Sequence, residues 1–477
     1  MIDLLVLGGQ VVTVDDQRRV FSPGGIAVDK GVIIDVGPED AIRTKYTEAV
    51  KVIQADGKAV FPGLINTHTH LFQVLLKGLG DDRILFDWLK DTIIPAVPAL
   101  KHEDVYAAAA VGCYEALKSG TTTILDYMYA HPVEYLGDEV IKAFQDTGIR
   151  GILGRGYSDS QERIEMARRN GRQGAKAEIV WETPERIAWD VKRLYGKYHG
   201  SNGGRIMVWL APGSVWGNTA ETFRLTRRLA DELKTGITVH ISETPDDRNS
   251  AQRMYGASDI MALEAMGVLG PDVLMVHCVH LTEREIRVTK ALDVKISHNP
   301  VSNMYLSSGV APVPRMLEAG ITVSLATDGA GSNNSQDMLE TLKFAALLHK
   351  VDTLDPTVIT AERVLEMATR DGARALGLED RIGTLEPGKR ADLFVFNPLR
   401  SAKAVPMHNP VSTLVYCSGE SNIETVVVDG EVVIENGEHK RVDGRKLAEA
   451  VTHRALELVS RAGMEDLAKR PWRSFAY

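Results

Sequence analysis

The chain has 477 residues, of which 44% are hydrophobic and 25% charged, an ordinary globular composition. A net charge of −9 without a basic run argues against nucleic acid or an anionic membrane as a partner. The sequence shows neither a basic leader nor an apolar stretch of about 18 residues, so no signal peptide and no membrane span are predicted. Three widely spaced cysteines predict no disulfide framework and a reducing, cytoplasmic location.

The two ends of the chain carry similar β-strand patterns. Both hold short β-branched runs broken by Gly and Asp-Gly turns, and they are predicted to form one small β-sandwich domain interrupted by a larger one. The alternative, two unrelated β segments, remains open. A C-terminal amphipathic helix is expected to dock on the larger domain or on a neighbouring subunit. The predicted domain bounds are 1–58 and 381–440 for the β domain, 59–380 for the insertion and 441–477 for the tail.

Between the β segments, strand and helix patterns alternate, which is typical of parallel βαβ units. The pattern predicts a (β/α)8 TIM barrel, an α/β fold, and favours it over a doubly wound sheet. A long charged stretch at 160–200 is predicted to be helical. The eight candidate strands are 61–68, 121–127, 148–156, 205–212, 236–243, 272–278, 293–299 and 321–328.

Four of these strands end in residues that bind metal ions or transfer protons. In a barrel, the carboxyl ends of all strands meet at one mouth, where catalytic groups sit. Any one of the residues has a structural explanation, such as a core histidine or a capping aspartate. Their convergence on one mouth indicates a functional site. They are His68 and His70 from strand 1, His240 and Glu243 from strand 5, His277 from strand 6 and Asp328 from strand 8.

The chemistry that fits is one divalent ion with a water in its open position. Such an ion lowers the pKa of the water to about 7. Glu243 would carry a proton to the substrate, and His277 would either bind the ion or hydrogen-bond the water, the second role being favoured. Zinc is predicted rather than ferrous iron because it needs no redox protection. The predicted ligands are His68, His70, His240 and Asp328.

Six segments of the sequence resemble the amidohydrolase superfamily: FPGLINTHTH, VHISET, VHCVHL, SHNPVSN, LATDGAGSNN and TLEPGKRADL. More narrowly, they are similar to its cytosine-deaminase-like branch, which includes melamine deaminase, atrazine chlorohydrolase, guanine deaminase and S-adenosylhomocysteine deaminase. The resemblance covers almost the whole chain. It implies a metal-dependent hydrolase that acts at a ring carbon of an N-heterocycle and usually releases ammonia, and it implies a homo-oligomer. Glu243 would then protonate the ring nitrogen, Asp328 would shuttle protons to the leaving group, and His277 would have an orienting role.

Comparison with the branch narrows the expected metal content and substrate. Strand 4 lacks the lysine that bridges two metals in binuclear members, which implies a mononuclear site. Val97 stands where the S-adenosylhomocysteine deaminases carry a ribose-binding glutamate, which favours a ribose-free substrate such as an aminotriazine or a purine or pyrimidine base. Gly329 matches the deaminases rather than the chlorohydrolase. A nucleoside deaminase of the S-adenosylhomocysteine or adenosine type and an s-triazine chlorohydrolase remain as alternatives, and a catalytically inactive scaffold is remote.

Further side chains near the strand ends are predicted to contact the substrate. The glutamine among them would hydrogen-bond a ring edge, the two aromatic residues would stack on a planar ring, and the arginine would face an anion. The serine and asparagine that follow Asp328 would meet the leaving group. For the aromatic residues and the arginine, packing on the barrel rim remains an alternative. These residues are Gln73, Phe86, Trp88, Arg155, Ser332 and Asn333.

Overall fold

The computed structural model describes residues 1–161 and 181–469, together with 471, 472 and 474. Its centre is an eight-stranded, all-parallel sheet with the strands in sequence order. The strands are β6 (Leu64–Thr69), β7 (Thr121–Met128), β8 (Arg150–Tyr157), β9 (Ile206–Pro212), β10 (Ile237–Ile241), β11 (Val273–His277), β12 (Lys295–His298) and β13 (Val323–Leu325). The predicted TIM barrel is confirmed.

Hydrogen bonds between the first and last strands bring the sheet close to a closed barrel. The Asp328 amide donates to the His68 carbonyl at 3.1 Å, and the Thr67 hydroxyl donates to the Leu325 carbonyl at 3.1 Å. Every residue of β7 and of β8 is buried, as expected for parallel strands covered on both faces. Closure therefore places the end of β6 directly beside Asp328, where the candidate site lies.

Helices pack around the barrel and join its strands. The long α4 ends where Gly120 adopts a φ of +84°, as the sequence predicts. The predicted helical stretch 160–200 contains α6, whereas residues 162–180 lie outside the described residues. The helices are α1 (Glu39–Lys45), α2 (Leu85–Trp88), α3 (Ile94–Ala96), α4 (His102–Lys118), α5 (Leu136–Thr147), α6 (Pro184–Tyr198), α7 (Ser201–Gly204), α8 (Ala220–Leu233), α9 (Pro245–Tyr255), α10 (Asp259–Ala265), α11 (Glu283–Ala291), α12 (Pro300–Tyr305), α13 (Val313–Glu318), α14 (Met338–Thr353), α15 (Ala361–Ala368), α16 (Arg370–Ala375), α17 (Pro410–Cys417), α18 (Gly444–Ala462) and α19 (Glu465–Ala468).

The N- and C-terminal segments share a second, nine-stranded sheet, which forms a β-rich part of the molecule. The two segments are joined through β5, which pairs with both β1 and β14. The strands are β1 (Ile2–Val12), β2 (Val20–Asp29), β3 (Val32–Pro38), β4 (Ala49–Gln54), β5 (Ala59–Pro62), β14 (Leu393–Phe396), β15 (Ile423–Val428), β16 (Glu431–Glu435) and β17 (Glu438–His439).

The first predicted barrel strand, 61–68, is wrong in its bounds, because the chain changes sheets within it. Phe61 lies in β5 of the nine-stranded sheet, and the barrel begins only at Leu64. The change occurs at Gly63, where an added Cβ would lie 2.0 Å from the Thr122 hydroxyl. Only glycine permits so close an approach. The nine-stranded sheet therefore extends past the predicted boundary at residue 58.

The C-terminal helix α18 docks on the barrel side of the molecule. Arg461 forms an ion pair with the buried Asp104 at the start of α4 and donates to the Ala99 carbonyl at 3.1 Å. Leu458 and Val459 are the buried residues of this helix. Among the helices of the described part of the chain, none combines the length and the apolar composition needed to cross a membrane.

Candidate metal centre

Two histidines from the end of β6 converge with Asp328 at the mouth of the barrel. Side chains two residues apart on a strand point to the same face, and both imidazoles do so here. The Nε2 atoms of His68 and His70 lie 3.3 and 3.4 Å from Oδ1 of Asp328. His240, from β10, brings its Nε2 to 3.3 Å from Nε2 of His70. The structure thus brings together all four predicted ligands.

The donor atoms fit a divalent ion. Nδ1 of His70 donates to the Tyr127 carbonyl at 2.7 Å, which leaves a lone pair on its Nε2 at the centre of the cluster. His68 is fully buried, and neither of its ring nitrogens has a hydrogen-bond partner among the described residues. Buried polar atoms without partners are costly, and a metal ion would satisfy them. Nitrogen atoms of His68, His70 and His240 all lie within 4.8 Å of one another.

Burial keeps these imidazoles in the neutral form that binds metal. It lowers the pKa of His70 to about 3 and holds the pKa of His240 well below its ordinary value, with the neighbouring imidazoles adding to the effect. Burial opposes ionisation of Asp328, but the imidazoles of His68, His277 and His70 that face its carboxyl group outweigh this penalty and hold the carboxyl pKa well below its usual range. The cluster therefore offers neutral nitrogens and one carboxylate.

Glu243 and His277 lie side by side next to this cluster. Oε2 of Glu243 is 3.5 Å from Nε2 of His277, and Oε1 accepts a hydrogen bond from the Ser308 hydroxyl at 3.3 Å. Thr244, directly after Glu243, caps α9 with its side chain and so fixes the chain at this point. Burial raises the pKa of Glu243 well above its ordinary value, and the charges of Asp247 and Asp328 raise it further. These surroundings favour the protonated form of Glu243, which can act as a proton donor.

A cavity opens above these groups, and several of the residues predicted to contact the substrate line it. Gln73 donates to the Tyr129 hydroxyl at 2.9 Å, and Trp88 donates to the Gly331 carbonyl at 2.8 Å. Ser332 also lines the cavity, with its hydroxyl 3.4 Å from Oδ2 of Asp328.

The structure does not bring the other three predicted contacts to the cavity wall. Phe86 packs beside Trp216, with ring centroids 5.8 Å apart. Asn333 turns away and donates to the Thr327 carbonyl at 2.7 Å. Arg155 is 1% exposed, and its guanidinium forms ion pairs with Glu182 at 2.7 Å and Asp190 at 2.8 Å. A buried arginine needs such partners, which explains why it faces them instead of an anionic substrate.

Sequence reasoning missed several side chains of the site. Tyr129 holds the amide of Gln73, and Trp216 and Asp247 form part of the cavity wall. Ser302 hydrogen-bonds Asp328, and Asn303 hydrogen-bonds His277. The segment SHNPVSN contains this last pair, but spacing alone does not reveal that a helix after β12 turns both side chains toward the centre.

Asp126, on β7 next to β6, leads to a prediction of how the stability of the folded protein depends on pH. The residue is fully buried, its Oδ1 accepts from the Leu71 amide at 2.7 Å, and its Oδ2 has no hydrogen-bond partner among the described residues. Burial raises its pKa to about 7 from an ordinary value of 3.8. The folded protein therefore binds this proton more tightly than the unfolded chain, and the associated stability is lost as the pH rises from about 4 through about 7.

Asp126→Asn is expected to remove this pH dependence, because the amide oxygen still accepts from Leu71 and no charge has to be buried. Relative to wild type, the variant should gain roughly 2–3 kcal/mol between pH 5 and pH 8, as an upper bound. Thermal unfolding of both metal-loaded proteins at the two pH values measures the difference. A Tm difference that is the same at pH 5 and pH 8 would contradict the assignment.

A barrel mouth that presents neutral imidazoles and a carboxylate to one point, beside a protonated glutamate, is the arrangement of a metal-dependent hydrolase. Residues 59–433 match the profile of the Amidohydrolase family. The chain belongs to this family, as the sequence motifs predict. It is 36% identical over 452 residues to the 5-methylthioadenosine/S-adenosylhomocysteine deaminase of Syntrophomonas wolfei, an alignment that covers 94% of this chain and 98% of the relative.

Solved structures share the whole fold. An adenosine deaminase from Xanthomonas campestris with bound zinc superposes with a TM-score of 0.86 at 28% identity, covering 96% of this chain and 99% of that one. An atrazine chlorohydrolase from Arthrobacter aurescens complexed with zinc gives 0.85 at 26% identity, covering 95% and 100%. The chain is a hydrolase acting on C–N bonds, a deaminase of a small N-heterocycle, and its site supports a divalent metal ion.

Proposed function

We propose that the protein is a mononuclear, zinc-dependent aminohydrolase whose substrate is a flat, ribose-free aminoheterocycle, either an aminotriazine or a purine or pyrimidine base. Four ligands that converge on one point support a single ion. The strand where binuclear members carry a bridging lysine is β9, and it has none. The bound zinc of two related structures supports this metal over iron.

The residues of the site divide the proton transfers between them. When bound, the ion would lower the pKa of a water and so supply a nucleophile at neutral pH. Asp328 accepts a proton from the attacking water, and Glu243 delivers its own proton to the ring nitrogen. The ring carbon forms a bond to oxygen, its bond to the exocyclic nitrogen breaks, and Asp328 passes its proton to the departing amine. The proton of the newly formed hydroxyl group returns to Glu243, so that one water is consumed, ammonia and the oxo-heterocycle are released, and both carboxyl groups regain their starting states.

The cavity wall carries the argument for a ribose-free substrate. Val97 is buried, with 2% of its surface exposed, and it lines the cavity among other apolar side chains. A ribose placed against this wall would lose its hydrogen bonds to water without replacement, and each unpaired hydroxyl costs about 1–3 kcal/mol. An apolar substituent on a heterocycle would instead gain contact there. The apolar wall comprises Leu85, Leu89, Ile93, Ile94, Val97 and Pro98.

Gly329 favours ammonia over chloride as the leaving group. The position directly follows Asp328, and an added Cβ would lie 2.0 Å from Oε1 of Gln73 and 3.0 Å from Cβ of His70. The asparagine expected at this position in a chlorohydrolase of the kind the sequence resembles therefore has no room while Gln73 stays in place. Dehalogenation remains the less favoured alternative.

A nucleoside deaminase is the second candidate. It is favoured by the similarity over nearly the full length to a deaminase named for 5-methylthioadenosine and S-adenosylhomocysteine and to the solved adenosine deaminase. The two candidates differ in what Val97 must contact. They are separated by comparing ammonia release from melamine, guanine and cytosine with release from adenosine, S-adenosylhomocysteine and 5-methylthioadenosine.

Val97→Glu should shift this preference toward nucleosides. A carboxylate in the apolar wall loses hydration against a ribose-free ring but can accept hydrogen bonds from ribose hydroxyls. We expect the ratio of kcat/KM for nucleosides to that for free bases or triazines to rise about tenfold or more, in line with 1–3 kcal/mol per hydrogen bond. Val97→Leu keeps the wall apolar and should leave the ratio unchanged. A wild-type protein that already prefers nucleosides would establish the second candidate.

We further propose that the protein works in the cytoplasm as a homo-oligomer. Cys113 and Cys278 are buried as free thiols, which suits a reducing compartment. Size-exclusion chromatography with light scattering tests the oligomeric state, and a monomer at working concentration would contradict it.

A further inference from the structure

We propose that the short helix α12 is a positioning element for two groups of the site, with Ser302 orienting Asp328 and Asn303 orienting His277. The inference rests on the proposed function, because it takes Asp328 and His277 as catalytic. Both positioning side chains are fully buried, lie next to each other in the chain and point toward the barrel mouth. Neither is a predicted metal ligand.

Ser302 holds one oxygen of the Asp328 carboxylate. Its hydroxyl donates to Oδ2 at 2.6 Å, while the Gly329 amide donates to Oδ1 at 2.7 Å. Oδ1 is the oxygen that faces the Nε2 atoms of His68 and His70. The serine therefore fixes the rotation of the carboxylate and directs Oδ1 to the ion. Hydrogen-bond partners of metal ligands typically account for 10–100-fold in metal affinity.

Asn303 holds Nδ1 of His277. Its Oδ1 lies 3.0 Å from this nitrogen, so an Nδ1–H donates to the amide oxygen. The opposite ring nitrogen, Nε2, is then bare, and it lies 3.5 Å from Oε2 of Glu243. Asn303 thus selects the tautomer in which Nε2 can accept a hydrogen bond from the water or from Glu243.

Asn299 also approaches Nδ1 of His277, with its Nδ2 at 3.3 Å. Its own Oδ1 has no hydrogen-bond partner among the described residues, so the amide can turn by 180° and share the Nδ1–H without losing a bond. Nδ2 of Asn303 likewise has no hydrogen-bond partner among the described residues, but its Oδ1 makes the shorter of the two contacts with Nδ1, 3.0 Å against 3.3 Å. The acceptor oxygen of Asn303 is therefore the group to which we assign the choice of tautomer.

Backbone strain at the two oriented residues shows why they need external support. His277 has a φ of +72° and Asp328 a φ of +64°, in the left-handed region that non-glycine residues seldom adopt. Such conformations persist only when the surroundings fix them, and they cluster at functional sites. The side-chain bonds from α12 are part of that support, and they reach both strained residues from one helix turn.

Two pairs of variants separate positioning from simple structural support. Asn303→Asp keeps an acceptor oxygen facing Nδ1 and replaces the amide donor by a carboxyl oxygen, whereas Asn303→Leu keeps the size and removes the acceptor. We expect kcat to fall at least tenfold in Asn303→Leu with KM within about twofold, and to be at least partly restored in Asn303→Asp. Ser302→Ala should weaken zinc binding 10–100-fold, measured by titration without substrate, and Ser302→Thr should restore it.

Matched controls remove equally buried side chains far from the site. Asn422 is fully buried, and its amide bonds the Asn397 carbonyl and the Gly419 amide, so Asn422→Leu should lower the Tm without changing kcat or metal affinity. Ser119→Ala is the corresponding control for Ser302, because that hydroxyl bonds a helix carbonyl.

The outcomes distinguish the inference from the proposed function. Wild-type protein that binds zinc but releases no ammonia would refute the proposed function. The zinc titrations of the Ser302 variants would still test whether Ser302 positions Asp328. Active wild type with unchanged kcat in Asn303→Leu and unchanged zinc affinity in Ser302→Ala would overturn the inference alone. Equal losses of kcat in Asn303→Leu and Asn303→Asp would also overturn it.

Discussion

Glu243→Gln is expected to bind its metal normally and to lose nearly all turnover. The side chain is not among the predicted ligands, and it lies beside the cluster with its carboxyl 3.5 Å from His277. Burial and the nearby carboxylates raise its pKa well above the ordinary value, which favours the protonated form that can act as a general acid. Glutamine keeps the shape and the hydrogen bond with Ser308 but has no acidic proton. General acid catalysis typically contributes 10²–10⁴-fold, and we expect kcat to fall by about that amount.

Glu285→Gln is the matched control for this prediction. Glu285 is also a buried glutamate, but it caps α11 and pairs with Arg248 at 2.9 Å, away from the cavity. Neutralising it should lower the Tm and leave turnover of the metal-loaded protein intact. Metal analysis and steady-state kinetics on both variants decide the matter. If Glu243→Gln lost its metal, the glutamate would be a ligand and its role as a proton donor would be wrong.

His68→Ala is expected to lose most of its metal. The fully buried imidazole points at Asp328 from 3.3 Å, and no other described residue hydrogen-bonds its nitrogens. Removing one of four ligands leaves the ion with an additional open position, and we expect the metal affinity to fall by at least about 10–100-fold, the effect of losing only a ligand's hydrogen-bond partner. Turnover at limiting metal should fall in parallel, because the nucleophile depends on the ion.

His349→Ala is the control for the loss of a buried imidazole. His349 lies on α14 and contacts His298 at 3.1 Å, and neither is part of the ligand cluster. This variant should be less stable but should keep one equivalent of metal. Dialysis against a weak chelator followed by elemental analysis compares the three proteins. Full metal occupancy in His68→Ala would contradict its assignment as a ligand.

The sequence predicts the barrel and the metal cluster well because both depend on regular repeats. Parallel strands end at a common mouth, so residues at strand ends such as His68 and His240 could be placed together without knowledge of any distance. The buried side chains that set hydrogen bonds follow no such rule. Arg155 also ends a strand, but its partner Glu182 comes from a segment whose path spacing does not predict.

The first strand was misplaced and the short helix was overlooked for the same reason, namely that contacts set by packing leave no mark in the local sequence pattern. The run from Phe61 to Ile65 is apolar on both sides of Gly63, so nothing in the pattern marks the change of sheet, which depends on the close approach of Gly63 to Thr122. Ser302 and Asn303 belong to a short helix whose direction is set by packing rather than by local pattern. Their contacts with Asp328 and His277 become visible only in the folded chain.

The most direct test of the central claim measures ammonia, chloride and metal in one preparation. The protein would be stripped with a chelator, reloaded with zinc to a measured stoichiometry and assayed with an aminotriazine, free bases, nucleosides and a chlorinated aminotriazine. We predict one zinc per chain, one ammonia per ribose-free substrate consumed, and activity that disappears with the metal and returns with it. Chloride without ammonia from the chlorinated triazine, or turnover that survives removal of the metal, would contradict the account.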